Sequence, residues 1–151
     1  QHIVLEKDVD KELPAIRVDK DKTTWVLINF LTNAIRHSPQ NGQIIIRATR
    51  ENGHLQFSVK DFGIGVDPKY KDKLFDRFYR VERARQSGTA HHGLGLAIVA
   101  AIARMHGGAP LATSGGGVTS IGIVLPLLCL AHSEEDTPRV LPEPVQELRS
   151  T

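Results

Sequence analysis

The sequence predicts an α/β fold, a two-layer sandwich in which a mixed sheet of about five strands carries helices on one face. Two segments, 20–37 and 93–106, repeat their apolar residues at a helical period of about 3.6. Short segments between and after them alternate apolar and polar residues, and glycine-containing turns join these segments in pairs. Periodicity gives the class of fold and leaves the order of the strands open.

Six short segments have the alternation or the composition of β-strands. They are residues 3–6, 15–18, 43–50, 55–60, 111–113 and 119–125. Glu51-Asn52-Gly53 joins the third segment to the fourth, and Asn-Gly is a strong signal for a tight hairpin turn. Gly115-Gly116-Gly117 joins the last two segments, and Pro126 ends the final strand. Two hairpins are therefore expected.

The helix predicted from about Lys20 to His37 has Asp19 or Asp21 as a suitable N-cap. Its polar residues share a face of about 100°, because neighbours at i+3 and i+4 lie on one side of a helix. They are Asn29, Asn33, Arg36 and His37. Leu27, Phe30, Leu31 and Ala34 are expected on the opposite side as an apolar stripe. Two carboxamides on one face can serve a ligand, and a solvated outer face is an equally good alternative.

Residues 1–128 are predicted to form one domain, and residues 129–151, rich in Glu, Pro and Ser, a disordered tail. A short helix is expected near 68–74 and a mobile polar loop at 82–92. The single cysteine, Cys129, excludes an internal disulfide framework. No apolar run approaches the ~20 residues that span a bilayer. The chain begins without methionine, which indicates a fragment of a longer protein.

The net charge of +2 is unevenly distributed. Residues 131–151 carry five acidic and two basic side chains, a charge of −3, so the rest of the chain carries +5. Basic residues are concentrated between Lys69 and Arg85, which is one pattern of a nucleic-acid surface. Acidic residues interleave with them, so binding to nucleic acid is not predicted.

Two glycine-containing sequences follow at points where ligands are often bound. Asp61-Phe62-Gly63-Ile64-Gly65 directly follows a strand, and Gly93-Leu94-Gly95 begins the second long helix. A carboxylate at a strand end can accept a hydrogen bond from an exocyclic amine, and glycines let the backbone approach a flat ligand. A helix N-terminus offers N–H groups to phosphate. Each sequence alone is more often a plain turn.

In combination, four segments resemble the sequence boxes of the catalytic and ATP-binding domain of bacterial sensor histidine kinases. That domain belongs to the GHKL superfamily, with gyrase B, MutL and related chaperone ATPases. The matching boxes are Asn29 to His37 (N box), Asp61 to Gly65 (G1), Phe75 to Phe78 (F) and Gly93 to Leu96 (G2). The resemblance covers about Ile3 to Pro126 and implies the Bergerat ATP-binding fold.

The resemblance also implies ligands and roles. Asn33 is expected to bind the Mg²⁺ that bridges the phosphates of ATP, with Asn29 lining the same metal site. Asp61 is expected to accept a hydrogen bond from the adenine amino group, and His37 to flank the base. The residues implied to line the nucleotide site are Gly63, Ile64, Gly65, Gly93, Leu94, Gly95 and Thr119. The catalytic cations implied near the terminal phosphates are Arg36, Arg80 and Arg85.

The implied activity is transfer of the γ-phosphoryl group of ATP to a histidine on a separate dimerisation and phosphoacceptor helical domain of the same protein. A response regulator would then receive it. Relatives that hydrolyse ATP typically carry glutamate four residues before the metal-binding asparagine, where this chain has Asn29, which is not a useful base. The full-length protein is expected to be a homodimer, with this domain cytoplasmic and anchorage in the inner membrane left open.

The alternative is a GHKL module that hydrolyses or only binds nucleotide and has no histidine kinase activity. For the module that only binds nucleotide, the one indication is His91-His92, because these residues stand where the family usually has Gly-Thr. Neither histidine has further ligands that would indicate a metal site.

Overall fold

One mixed sheet carries the fold in the computed structural model, which describes residues 2–77 and 95–127. The strands are β1 (Val4–Val9), β2 (Gln43–Glu51), β3 (His54–Asp61), β4 (Ala109–Gly115) and β5 (Val118–Pro126). Their order is β1-β2-β3-β5-β4, with β1 parallel to β2 and the other neighbours antiparallel. Helices α1 (Lys20–His37) and α2 (Gly95–Met105) pack on one face. The predicted α/β sandwich is confirmed.

Both predicted hairpins form. The turn between β2 and β3 has a positive φ at Asn52 (51°) and at Gly53 (75°). The turn between β4 and β5 has φ of 59° at Gly116 and 78° at Gly117. Positive φ at both central residues is the geometry whose twist matches that of the flanking strands, and asparagine and glycine adopt it most readily.

Helix α1 has the predicted bounds, and Asp19 is its N-cap, accepting a hydrogen bond from Lys22 N–H at 3.0 Å. The core between the helices and the sheet is apolar. Its members include Val26, Phe30, Ala34, Ile44, Val59, Val99, Ala103 and Ile123. The prediction that the carboxamides lie opposite the apolar stripe is wrong in one respect. Val26 extends the buried face, so Asn29 and Asn33 lie beside it and are half-buried.

The predicted strand at 15–18 does not form. Ile16 and Val18 are half-buried and pack against the core from an irregular segment before α1. Their alternation with exposed residues therefore reflects one-sided burial without a hydrogen-bonded partner strand. The short helix expected near 68–74 is a 3₁₀ helix, Pro68–Lys73, with Asp67 as its N-cap. The predicted loop at 82–92 and tail at 129–151 lie outside the described residues.

Helix α2 ends at the predicted Gly107-Gly108 sequence. Gly107 has a φ of 76° and donates its N–H to Arg104 O, while Gly108 N–H bonds to Ala103 O. This is the hydrogen-bond pattern of a Schellman cap. The adjacent His106 accepts Asp19 N–H at Nε2, 3.1 Å, so the end of α2 lies beside the start of α1. Neither described helix is long and apolar enough to cross a membrane.

Candidate nucleotide-binding site

The two predicted metal-site asparagines lie together on α1. Asn33 donates its Nδ2 hydrogen to Oδ1 of Asn29 at 3.3 Å, one helical turn apart. Because this bond uses the amide group of Asn33, the carbonyl oxygen of Asn33 is left as an available acceptor. Among the described residues, no hydrogen bond to that oxygen is made.

The start of α2 approaches this carboxamide pair closely. A Cβ atom added at Gly95 would overlap the carboxamide of Asn29. Glycine at this position therefore allows the second helix to reach the pair, as the antiparallel arrangement of α1 and α2 requires. Gly95 and Asn29, both named from the sequence as candidate nucleotide-site residues, therefore lie side by side.

Asp61 lies at the end of β3 on the side that faces the helices. It is 5 % exposed, and its Oδ1 accepts the N–H of Gly63 at 3.0 Å. Its cross-strand partners are Ile44 on β2 and Thr119 on β5. Burial raises the pKa of the Asp61 carboxyl, and the Gly63 hydrogen bond and His37 act in the opposite direction. A nearly buried carboxylate at a strand end can accept a hydrogen bond from a donor group on a ligand.

The C-terminal end of α1 contacts the turn that follows Asp61. A Cβ at Gly63 would overlap the carbonyl group of His37, so only glycine fits there. The His37 side chain keeps an exposed surface, yet the protein around it desolvates the ring and lowers its pKa; Asp61 raises this pKa and Arg36 lowers it. His37 therefore lies near Asp61, and α1 links the asparagine pair to the aspartate.

Thr119 is buried beside Asp61, and a residue not predicted from sequence lies next to it. Oγ of Ser114 is 3.2 Å from Oγ1 of Thr119 and accepts the N–H of Val66 at 2.9 Å. Gly65, with a φ of 76°, lies against the same hydroxyl. Ser114 is 48 residues from Val66. No local pattern marks it, and only the register of β4 on β5 brings it here.

The remaining predicted site residues are either exposed or lie outside the described residues. Ile64 is 75 % exposed, and Arg36 is exposed at the end of α1. Four predicted site residues lie outside the described residues, namely Arg80, Arg85, Gly93 and Leu94. Phe78, His91 and His92 lie outside them as well. Within residues 2–77 and 95–127 no group of three or more His, Cys, Asp or Glu side chains is arranged to hold a metal ion.

Comparison with known proteins identifies the class of protein that the fold and the site define. A family model described as histidine kinase-, DNA gyrase B- and HSP90-like ATPase matches residues 18–128. The chain belongs to this family.

Particular relatives within it are sensor kinases. The chain is similar to the sensor histidine kinase WalK of Bacillus subtilis (strain 168), 40 % identical over 129 residues, which cover 83 % of this chain and 21 % of WalK. It therefore spans about a fifth of that relative's length. The solved structure of the mycobacterial sensor histidine kinase MprB is 30 % identical, with a TM-score of 0.71, and covers 82 % of this chain and 83 % of that one. Full-length ShkA in complex with AMPPNP is 29 % identical, with a TM-score of 0.70, over 82 % of this chain and 25 % of ShkA.

Proposed function

We propose that this chain is the ATP-binding catalytic domain of a sensor histidine kinase. It transfers the γ-phosphoryl group of ATP to a histidine on a separate helical domain of the same protein. The observation that carries this proposal is the arrangement along α1. The asparagine pair contacts the start of α2, and His37, about 12 Å further along the helix axis than Asn29, contacts the turn after Asp61. One elongated ligand can therefore have its phosphates at the pair and its base at the aspartate.

The purine end is selected by Asp61. An ionised carboxylate only accepts hydrogen bonds, so it favours the exocyclic amino group of adenine over the carbonyl group of hypoxanthine. Burial strengthens this discrimination, because an unpaired acceptor in a dry site loses its hydration without compensation. Gly63, Ile64, Gly65 and Thr119 form the surrounding wall in this proposal.

The phosphate end requires a cation, and the asparagine pair fits Mg²⁺. Magnesium prefers oxygen ligands and keeps several waters, so neutral carboxamide oxygens from Asn33 and Asn29 suffice when phosphates supply the rest. When bound, the ion offsets the negative charge of the triphosphate. Arg36, Arg80 and Arg85 are the cations proposed to face the terminal phosphates, and Gly93, Leu94 and Gly95 the backbone that approaches them.

Transfer is favoured over hydrolysis because the site has no general base to activate water four residues before the proposed metal ligand Asn33. Asn29 occupies that position, and its side chain accepts a hydrogen bond from Asn33. A kinase needs little beyond positioning and charge stabilisation, since the acceptor histidine brings its own nucleophile. Partners follow from this activity: the helical phosphoacceptor domain in a homodimer, and then a response regulator. The protein functions on the cytoplasmic side, with the catalytic domain at 1–128 and the tail at 129–151.

The test is Mg²⁺-dependent binding of a non-hydrolysable ATP analogue by the 151-residue chain. Asn33→Ala and Asp61→Ala should each weaken binding at least about tenfold, the loss expected when a charge-assisted contact is removed. Thr32→Ala is the matched control, because Thr32 is exposed on the same helix and bonds only to Ile28 O among the described residues. Unchanged affinity in both site variants would exclude the assignment.

A second measurement separates transfer from hydrolysis. With γ-labelled ATP and the phosphoacceptor domain, label should appear on protein in an acid-labile, base-stable form. Steady release of phosphate by the isolated chain near ~1 s⁻¹, within the usual range of enzyme turnover, would instead favour the hydrolytic alternative.

A further inference from the structure

We propose that Ser114 is a positioning residue for the purine end of the site, holding the loop after Asp61 and orienting the hydroxyl of Thr119. This inference rests on the proposed function, because it assigns Ser114 to the purine-reading side of the same pocket.

Three polar side chains form a row across the end of the sheet. Asp61 on β3 is the cross-strand partner of Thr119 on β5, and Thr119 is the partner of Ser114 on β4. Directly opposed residues in antiparallel strands point to the same face, so all three side chains face the helices. Apolar residues occupy this face one step further into the sheet, at Val59, Ile121 and Ala112. The polar row therefore marks where the core ends and the pocket begins.

The loop that leaves this row is fastened at both ends. At its start, Gly63 N–H bonds to Asp61, and Gly63 packs against the His37 carbonyl group. At its end, Val66 N–H bonds to the Ser114 hydroxyl at 2.9 Å. Gly65, between them, has a positive φ and lies against the same hydroxyl. Because Ser114 is the side chain that holds the far end, removing its hydroxyl frees Gly65 and Val66 while leaving the first fastening intact.

The same hydroxyl holds both the loop and Thr119. A backbone N–H can only donate, so Ser114 accepts from Val66. Thr119 Oγ1 lies 3.2 Å from the Ser114 oxygen, and either hydroxyl can be the donor of that pair. In the proposed arrangement Ser114 donates, which leaves the hydroxyl hydrogen of Thr119 for the pocket, beside the carboxylate that accepts from the base. Ser114 thereby positions both the loop and the Thr119 hydroxyl.

The test compares ATP and ITP analogues with the 151-residue chain, because the two ligands differ at the group that Asp61 reads. Ser114→Ala should weaken binding of the ATP analogue roughly tenfold, about the effect of one or two lost hydrogen bonds. Binding of the ITP analogue should weaken much less. The preference for ATP should fall accordingly. Ser114→Thr, which keeps the hydroxyl and suits a strand, should restore it.

Ser58→Ala is the matched control, since Ser58 is a strand serine, 1 % exposed, whose side-chain oxygen has no hydrogen-bond partner among the described residues. It should change neither affinity. Ser114→Ala with unchanged ATP preference, or an equal loss for both analogues that Ser114→Thr does not repair, would overturn the positioning role. If the unmodified chain does not bind the ATP analogue, the proposed function itself fails; if Asp61→Ala loses binding and Ser114→Ala does not, only the role of Ser114 fails.

Discussion

At the scale of single residues, Asp61 is subject to opposing requirements. Its burial at the end of β3 raises the pKa of its carboxyl, since the charged form loses solvation. The proposed reading of adenine needs that same carboxyl to be ionised. One hydrogen bond from Gly63 and the neighbouring His37 partly offset the cost. Such a conflict between stability and ionisation is typical of binding and catalytic groups.

Asp61→Asn separates these effects, because it removes the titrating group and keeps an oxygen for Gly63. A raised folded-state pKa means that the folded protein binds the proton more readily than the unfolded chain. The free energy of unfolding of the wild type, relative to Asp61→Asn, should therefore rise as pH falls from neutrality through the raised pKa towards the ordinary value of 3.8. Urea unfolding of both proteins over a pH series measures this difference.

Affinity for the ATP analogue should change in the opposite sense over the same pH range. Protonation of Asp61 replaces an acceptor by a donor facing the base, so binding by the wild type should weaken on acidification. Asp61→Asn should bind about ten- to a hundredfold more weakly at neutral pH, as expected for loss of a hydrogen bond to a charged group. A relative stability that falls on acidification would contradict the assigned pKa direction.

At the scale of elements, the proposed site depends on how closely α1 and α2 approach each other. The Schellman cap at Gly107 and the His106 contact with Asp19 join one end of the pair. Gly95 against Asn29 sets the other end. Hydrophobic burial holds the helices on the sheet, through Val26 and Phe30 of α1 and Val99 of α2. Polar contacts at the two ends then fix how the helices lie against each other.

Gly95→Ala tests this close approach. The new methyl group would displace the Asn29 carboxamide, a side chain that can rotate away, so the free energy of unfolding should change by less than about 1 kcal/mol, helped by the better helix propensity of alanine. The carboxamide pair would be broken, and Mg²⁺-dependent affinity for the ATP analogue should fall roughly tenfold.

The control for that variant is Gly115→Ala, because an added Cβ there meets no atom within 4 Å. Calorimetric titration and chemical unfolding of the two variants should give a binding defect at Gly95 alone. Normal binding by Gly95→Ala would show that the approach of α2 to Asn29 does not matter for the ligand.

At the scale of the whole molecule, a sheet with β5 between β3 and β4 assembles the site from distant parts of the chain. Asp61 and Thr119 become neighbours only because β5 returns beside β3. Within the part of the chain that the structure describes, the core residues and the five strands lie before residue 127. The family model likewise ends at residue 128. From these limits we expect the folding unit not to need the last part of the sequence.

Truncation after residue 128 should therefore preserve the domain. The shortened chain should match the full chain within about 0.5 kcal/mol in free energy of unfolding, the usual range for changes away from packed or paired groups. Its affinity for the ATP analogue should be the same. Removing residues 129–151 also takes away a net negative charge, so comparison at low and high salt controls for electrostatic effects. If the shortened chain has a lower unfolding midpoint than the full chain at both salt concentrations, part of the folding unit lies in the tail.

Local chemistry was sufficient for much of this protein. The bounds of α1, both hairpin turns and the end of α2 follow from capping residues, Asn-Gly and Gly-Gly, whose preferences act over a few residues. The site residues that were predicted came from short segments whose combination resembles one family. The prediction of a strand at 15–18 is wrong, because alternation indicates one-sided burial and does not indicate a hydrogen-bonded neighbouring strand.

The sequence by itself determined the class of fold and its family, and it supplied the residues proposed for the site. Only the tertiary structure decided that Asn29 meets Gly95, that Val26 belongs to the buried face of α1, and that Ser114 joins Thr119 and Val66. The physical reason is range. Turns and caps are set by neighbours in the chain, whereas helix approach and strand register are set by packing between segments tens of residues apart.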